Sequence, residues 1–353
     1  MGSQYSAVAA KLKAMRGECL KPEDYEQMLG MRSVREVCAY LKQNTGYGEV
    51  LEGYSEEKSH RGEIEHRLLS KLFDEYSRLY IFMNQDQREF LSLWMRRWEI
   101  RLLQRALRYI RNHEAAPPPE QWLGAEVSER EIRKHSKIDL DALAKAKTMS
   151  EIADACGDSA YKEIIQTGER LKLDLFAMGM RLDRYYLETL WKASRALPKE
   201  DAEAFGLWMG TDLDMLNVMW IYRAKRFWGF SNQMIYTTMI PIRRRLSPAD
   251  IENMVNSADT DAMRAYVAAK TPYGAIFDNY DEGVFIEENY NTLSEDNSRR
   301  ILSTHPQTMA AVYAYIKLKE VEISNLTVII EGIRYGMNSE NIKKHLMTGG
   351  GSA

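Results

Sequence analysis

Cysteine, glycine, proline and long apolar runs are all scarce in this 353-residue chain, and each shortage excludes something. Its three cysteines, Cys19, Cys38 and Cys156, are an odd number with no CxxC pair, which argues against a disulfide framework and fits a reducing, cytoplasmic setting. Gly and Pro together make 30 of 353 residues, below the roughly 12% of average usage, while Ala, Leu, Met, Glu, Lys and Arg are plentiful. Helix is therefore expected over a β-sandwich or barrel. Neither sign of charge dominates: 48 Lys and Arg face 51 Asp and Glu, so there is no global positive field to capture nucleic acid or an anionic bilayer. Apolar runs such as Leu326-Thr327-Val328-Ile329-Ile330 stop at a charge, here Glu331, far short of the ~20 residues a membrane span needs. The chain start also lacks the apolar block of a signal peptide, so any membrane association is expected to be indirect.

The usual catalytic constellations are missing as well. No Gly-Lys dipeptide offers a phosphate cradle, and no GxGxxG follows a plausible strand. The six histidines, at 60, 66, 113, 135, 305 and 345, include no HExxH pair. Glu63-x-x-His66 has the ligand spacing of carboxylate-bridged di-iron bundles, but those need two such motifs and one is present, so the pair reads as a surface helix. Gly157-Asp158-Ser159 falls where a repeat places its turn, which favours a turn over a nucleophile block. Neither catalytic residues nor a cofactor nor a metal is expected.

What the chain does have is internal repetition. Residues 20–48 and 246–274 align without a gap, and ten of the 29 positions are identical: Leu20/Leu246, Pro22/Pro248, Asp24/Asp250, Glu26/Glu252, Met28/Met254, Ala39/Ala265, Tyr40/Tyr266, Thr45/Thr271, Tyr47/Tyr273 and Gly48/Gly274. Chance at about 6% per position gives roughly two, so this is a duplicated unit. The offset of 226 is twice 113, and a diverged middle copy is visible halfway, with Ser159-Ala160-Tyr161 matching Thr45-Gly46-Tyr47.

The shared pattern has a physical meaning. Ser247-Pro248-Ala249-Asp250 places a hydroxyl N-cap, a proline at the first helical position and a carboxylate at the third, and Lys21-Pro22-Glu23-Asp24 does the same without the hydroxyl. Thr-x-Tyr-Gly then supplies a turn. Each copy continues into long helices. Val312, Ile316, Ile323, Leu326, Ile330 and Ile333 follow helical steps and predict a helix from about Met309 to Gly336, with counterparts near Trp98–Leu103 and Thr211–Leu216. The expected fold is all-α, built from three helical repeats of about 113 residues. Repeat one spans 1–112, a linker containing Pro117-Pro118-Pro119 spans 113–122, repeat two spans 123–244, repeat three spans 245–346, and a Gly-rich tail spans 347–353.

Two basic features remain. Arg97, Arg101, Arg105 and Arg108 form a stripe beside the apolar line Leu93, Ile100, Leu103 and Leu107. It reads as a solvated face, a docking surface for an acidic protein, or, less naturally, an RNA contact. Arg243-Arg244-Arg245 sits at the junction of repeats two and three.

The run Lys319-Glu320-Val321-Glu322-Ile323-Ser324-Asn325-Leu326, followed by Ile329-Ile330-Glu331-Gly332-Ile333-Arg334-Tyr335-Gly336, resembles the signature of the C subunit family of V-type/A-type ATPases, called the d subunit in eukaryotic V-ATPases. The opening Tyr5-Ser6-Ala7-Val8-Ala9-Ala10-Lys11-Leu12-Lys13-Ala14-Met15 and the Leu41-x-x-x-Thr45-x-Tyr47 block are similar to that family's amino-terminal pattern. The resemblance covers 5 to about 346.

It implies a funnel-like socket of three pseudo-threefold-related helical domains on the cytoplasmic face of the membrane rotor ring. Such a protein receives the foot of the central stalk and passes torque during ATP-linked proton or sodium transport, as a non-catalytic, peripheral part of the rotary motor. The expected partners are central-stalk subunits and the ring subunits. Combined with the repeat, the resemblance singles out Glu99, Asp212 and Glu322 at equivalent helical positions around a shared axis. The diverged neighbours Arg101 and Arg105, Asp214 and Arg223, and Asn325 and Arg334 join them as candidate partner contacts. The alternatives are a helical-repeat scaffold of another complex and, on Glu63/His66 alone, a helical metal enzyme.

Overall fold

A computed structural model of the chain describes residues 5–55, 61–112, 126–279 and 286–347. The linker expected at 113–122 and the end of the Gly-rich tail, 348–353, lie outside the described residues. Helix is the only repetitive structure among those described, with no strand. The chain divides into two compact units, one of Met1–Asn84, Pro198–Asn232 and Ile242–Ala353, the other of Gln85–Leu197 and Gln233–Pro241.

In chain order the helices are α1 (Ser6–Gly17), α2 (Pro22–Leu29), α3 (Val34–Asn44), α4 (Arg61–Ile81), α5 (Gln85–Ser92), α6 (Met95–Asn112), α7 (Glu126–His135), α8 (Leu140–Lys145), α9 (Met149–Ala155), α10 (Ala160–Arg170), α11 (Leu175–Ser194) and α12 (Lys199–Arg223). After α12 a π-helical turn, Ala224–Trp228, ends at Gly229 in the left-handed conformation. Then follow α13 (Asn232–Thr238), α14 (Pro248–Asn256), α15 (Thr260–Lys270), a 3₁₀ turn Gly274–Phe277, α16 (Ile286–Thr304), α17 (Met309–Arg334) and α18 (Ser339–Lys344).

The first unit is built around α17. The apolar stripe expected from about Met309 to Gly336 forms this helix, which buries residues around most of its circumference, the signature of a helix enclosed by others. It packs on α16, α4 and α12. Helices α12 and α17 run in the same direction: Met309 N–H donates to Asp201 Oδ1 at 2.6 Å near both starts, and Phe205 meets Tyr313 edge-on with centroids 5.1 Å apart. Trp208 Nε1 donates to Ser298 Oγ at 3.0 Å, which ties α12 to α16. In the second unit α6 packs on α11, with Gln104 Nε2 donating to Asp183 Oδ1 at 3.1 Å.

The two well-matched copies of the sequence pattern fold alike. Ser247 Oγ accepts from Asp250 N–H at 3.1 Å while Ser247 N–H donates to Asp250 Oδ2 at 2.7 Å, a closed capping box. Lys21, without a hydroxyl, keeps the returning half, its N–H donating to Asp24 Oδ2 at 2.7 Å. Both caps are braced by the next helix: Tyr40 Oη donates to Asp24 Oδ1 at 2.6 Å and Tyr266 Oη to Asp250 Oδ1 at 2.8 Å. Thr45 and Thr271 close the second helix by donating to the carbonyls of Leu41 and Val267 and accepting from the N–H of Tyr47 and Tyr273. The middle copy departs here, since Ser159 stands at the N-cap of α10 and Tyr161 lies within that helix.

The glycine of this turn is fixed by space. A Cβ at Gly48 would stand 2.9 Å from the Lys42 carbonyl oxygen, and one at Gly274 3.0 Å from Ala268 Cα. Gly48→Ala and Gly274→Ala should each destabilise the fold by about 1–3 kcal/mol, read as a lowered midpoint in urea unfolding followed by circular dichroism. An unchanged midpoint in both variants would show that the turn relaxes freely.

Candidate functional site

A buried carboxylate is costly unless donors surround it, and three of the helices present one such group with the same kinds of partner. In the second unit Glu99, on α6 and 3% exposed, accepts Lys137 N–H at 2.9 Å on Oε1 and Tyr161 Oη at 2.9 Å on Oε2. In the first unit Asp214, on α12 and fully buried, accepts the backbone N–H of Arg244, Arg245 and Leu246 at 3.0, 2.6 and 3.2 Å, and Tyr273 Oη at 2.7 Å. Glu322, on α17 and 5% exposed, accepts Leu20 N–H at 2.8 Å on Oε2 and Tyr47 Oη at 2.7 Å on Oε1. Each is a latch in which a carboxylate on a long helix holds a tyrosine of the Thr-x-Tyr-Gly pattern, or of its middle-copy counterpart, and the backbone leading into that copy.

Burial first, and then the neighbouring carboxylate, drives the three phenols well above the ordinary tyrosine range, so all three stay protonated donors. The Glu322 latch adds a cationic partner: Lys319 Nζ, 1% exposed, donates to Oε1 at 2.7 Å. Burial depresses this ammonium, but Glu322, Cys19 and Glu75 act the other way, and the net direction is upward. Glu75 on α4, 1% exposed, continues the network, accepting Tyr315 Oη at 2.8 Å and facing Lys71 and Arg78 at 3.4 Å each.

The structural counterpart of Glu99 and Glu322 is therefore Asp214, and the expected equivalence of Asp212 with them is corrected by two residues along the helix. Positions i and i+2 point to different faces. Asp212 turns to α16 instead, accepting Ser294 Oγ at 2.6 Å and Asn297 Nδ2 at 3.0 Å, and burial raises its pKa against the pull of Lys317.

The other candidate residues are placed as follows. Asn325, 2% exposed, clasps the chain beyond α18, its amide exchanging two bonds of 2.8 Å with the carbonyl and N–H of Met347. Arg334 pairs with Glu331, and Arg223 reaches Glu287 at 3.3 Å with its guanidinium 5.2 Å from the Trp228 ring centre. On α6, Ile100, Leu103 and Leu107 are buried as the apolar line, while Arg101 and Arg108 are exposed and Arg97 and Arg105 half-buried. Arg101 lies 4.4 Å from the Trp98 ring centre. With Arg97 and the Gln104 bond it also works against the burial that raises Asp183. Glu63 is held by Arg67 at 2.8 Å, and among the described residues no group of three or more His, Cys, Asp or Glu could hold a metal ion.

The buried pairing of Lys319 with Glu322 and the latch role of the three tyrosines go beyond what the sequence pattern predicts. The signal for the tyrosines is the repeated Thr-x-Tyr-Gly block, whose spacing alone predicts only a turn. The signal for Lys319 was its place one helical turn before Glu322.

The model of the ATP synthase (C/AC39) subunit family matches residues 8–345. The chain is similar to the C subunit of the A-type ATP synthase of Thermococcus kodakarensis, at 23% identity over 347 residues, covering 96% of this chain and 89% of that protein. It is also similar to the proteins of the same name from Methanosphaera stadtmanae, 20% identical with 97% and 88% covered, and Methanocaldococcus jannaschii, 20% identical with 98% and 86% covered.

The latches make a stability prediction with a sign. Tyr47→Phe, Tyr161→Phe and Tyr273→Phe should each cost about 1.5–3 kcal/mol, the worth of a hydrogen bond to a charged group. A phenol whose folded pKa is raised contributes stability that is complete below the unfolded value, about 10, and lost as pH climbs through it. Unfolding midpoints should hold level to about pH 9 and fall beyond pH 10, with a shallower fall in the triple Phe variant. An equal alkaline slope in that variant would detach the phenols from the effect.

Proposed function

The chain belongs to the ATP synthase (C/AC39) subunit family, and is thus part of a rotary ATPase; from that premise we propose that it is a non-catalytic adaptor of the central rotor, joining the central stalk to the membrane ring during ATP-linked ion transport. No helix among the described residues is long and apolar enough to cross a membrane, which suits attachment to the cytoplasmic face through the ring. The three-repeat division, 1–112, 123–244 and 245–346, and the funnel-like socket are parts of this same proposal.

The observation that carries it is the rotation of partners among the latches. Tyr47 of the first copy bonds Glu322 of the third, Tyr161 of the second bonds Glu99 of the first, and Tyr273 of the third bonds Asp214 of the second. Every copy thus grips the one before it, and the first grips the last, an order suited to three like units closed about an axis. A single stalk entering such a socket meets three non-identical walls.

On this reading the partner contacts fall to residues the latches leave outside, foremost the α6 arginine stripe of Arg97, Arg101, Arg105 and Arg108. Glu99, Asp214 and Glu322 then hold the walls in register, Asp212 and Asn325 brace α12 and α17 from within, and Arg223 and Arg334 lie at the ends of those helices. Apolar contact supplies most of the affinity, and charge sets orientation and salt dependence.

One exposed arginine contributes only ~0.2–1 kcal/mol, so a lone Arg→Ala change should do little. Arg105→Glu with Arg108→Glu, which spares the arginines facing Asp183, should weaken binding to isolated stalk subunits or to the membrane ring by roughly tenfold at low salt, and less as salt rises. Calorimetric titration against each partner, with circular dichroism to verify folding, measures it. Unchanged affinity for both partners returns the stripe to solvent.

A further inference from the structure

The most exposed large apolar side chain among the described residues is Ile81, at 69%, and Phe82 beside it is 48% exposed. They stand at the end of α4 in the first unit, and α1 packs against α4. Lys11 of α1 places its ammonium 5.7 Å from the Phe82 ring centre, which joins the two elements into one surface. Helix α1 carries Lys11, Lys13 and Arg16 and no acidic residue, a local charge of opposite sign to the chain as a whole. The nearest acid in sequence, Glu18, is occupied by both Nη atoms of Arg78 at 3.1 and 3.3 Å and held below the usual carboxylate range by that contact. A strongly basic helix thus lies beside exposed Ile and Phe.

We propose that the outer face of α1 together with Ile81 and Phe82 is a docking surface for an acidic amphipathic helix of another protein subunit. The inner line of α1, Val8, Leu12 and Met15, is buried, and the outward line is Ala7, Ala10, Ala14 and Gly17, with Lys11 on one border and Lys13 and Arg16 on the other. This relief decides the occupant. A bilayer needs bulky apolar side chains along the helix that sinks into it, whereas this surface carries them only at one end, Ile81 and Phe82, and none on the outer face of α1. Small residues instead let a second helix axis approach closely, cations on both borders meet carboxylates on its flanks, and Ile81 with Phe82 receives its apolar stripe. The site is separate from the arginine stripe on α6, and the proposal draws on the adaptor reading only for the existence of neighbouring subunits.

The test uses the assembled ATPase and a zero-length carbodiimide, which couples an ammonium only to a carboxylate in contact with it. Lys11 or Lys13 should couple to Asp or Glu of a helical segment in another subunit, identified by mass spectrometry, and Ala14→Cys should react with a maleimide in the isolated chain but not in the complex. Lys13→Glu with Arg16→Glu should weaken recruitment of that subunit about tenfold at low salt, and Phe82→Ser should weaken it about threefold with little salt dependence. Arg243→Glu, a reversal at another exposed arginine, should leave it unchanged. A complex that assembles with both lysines uncoupled and the introduced thiol still reactive overturns the proposal while leaving the adaptor role intact. Co-sedimentation of the chain with phosphatidylglycerol vesicles, lost in the α1 variants while subunit recruitment persists, overturns it in favour of lipid.

Discussion

A carboxylate buried without donors would cost several kcal/mol, and the first unit depends on Glu322 having three. Leu20 N–H, Tyr47 Oη and Lys319 Nζ converge on it from the loop before α2, the turn after α3 and its own helix. Residues about 300 positions apart in sequence are thereby fixed against one another, |i−j| being 302 for the Leu20 bond. No intervening secondary structure could impose that register. Apolar packing around α17 is non-directional and would tolerate a rotation or slide of the first helices, whereas a two-oxygen acceptor with donors at 2.7–2.8 Å does not. The latch supplies specificity and the apolar core supplies most of the stability.

The three latches solve one problem with different chemistry. Asp214 has the shorter side chain and compensates by drawing three consecutive backbone N–H groups to itself, a nest formed by Arg244, Arg245 and Leu246. Glu99 makes do with one backbone donor and one phenol. Glu322 adds an ammonium, which also feels the field of Glu75 on α4, itself bonded by Tyr315 of α17 and flanked by Lys71 and Arg78. Removing Lys319 would leave Glu322 buried with only its two neutral donors, Leu20 N–H and Tyr47 Oη, so this latch depends on its cation as the other two do not.

Much of the fold was legible because its signals are local. The Ser247-Pro248 cap, the Thr-x-Tyr-Gly turn and the helix from Met309 depend on neighbours within one turn or on a period that survives in a single chain segment. The latches were not, because a repeat alignment pairs like with like, whereas each bond joins a tyrosine of one copy to a carboxylate of another. Spacing alone could not choose between Asp212 and Asp214 either. Both carry a carboxylate near the expected position, and only the direction of each side chain, toward Ser294 and Asn297 or toward the 244–246 backbone, separates them. Lys319 was hidden for a related reason, since a lysine one turn from a glutamate reads as a solvated pair until both prove to be buried.

That outcome changes where recognition can lie on the adaptor reading. The carboxylates of Glu99, Asp214 and Glu322 are consumed in holding the chain to itself, and a carboxylate already accepting two to four hydrogen bonds has little capacity left for a partner. Recognition is thereby pushed to the helix faces turned away from the latches, where exposed arginines and lysines tolerate change without disturbing the core. Such a division lets the inner pairing of tyrosine with carboxylate persist across the copies while exposed positions such as Arg101 and Arg108 remain free to vary. Divergence outside costs the fold little, and on the adaptor reading it suits an asymmetric partner.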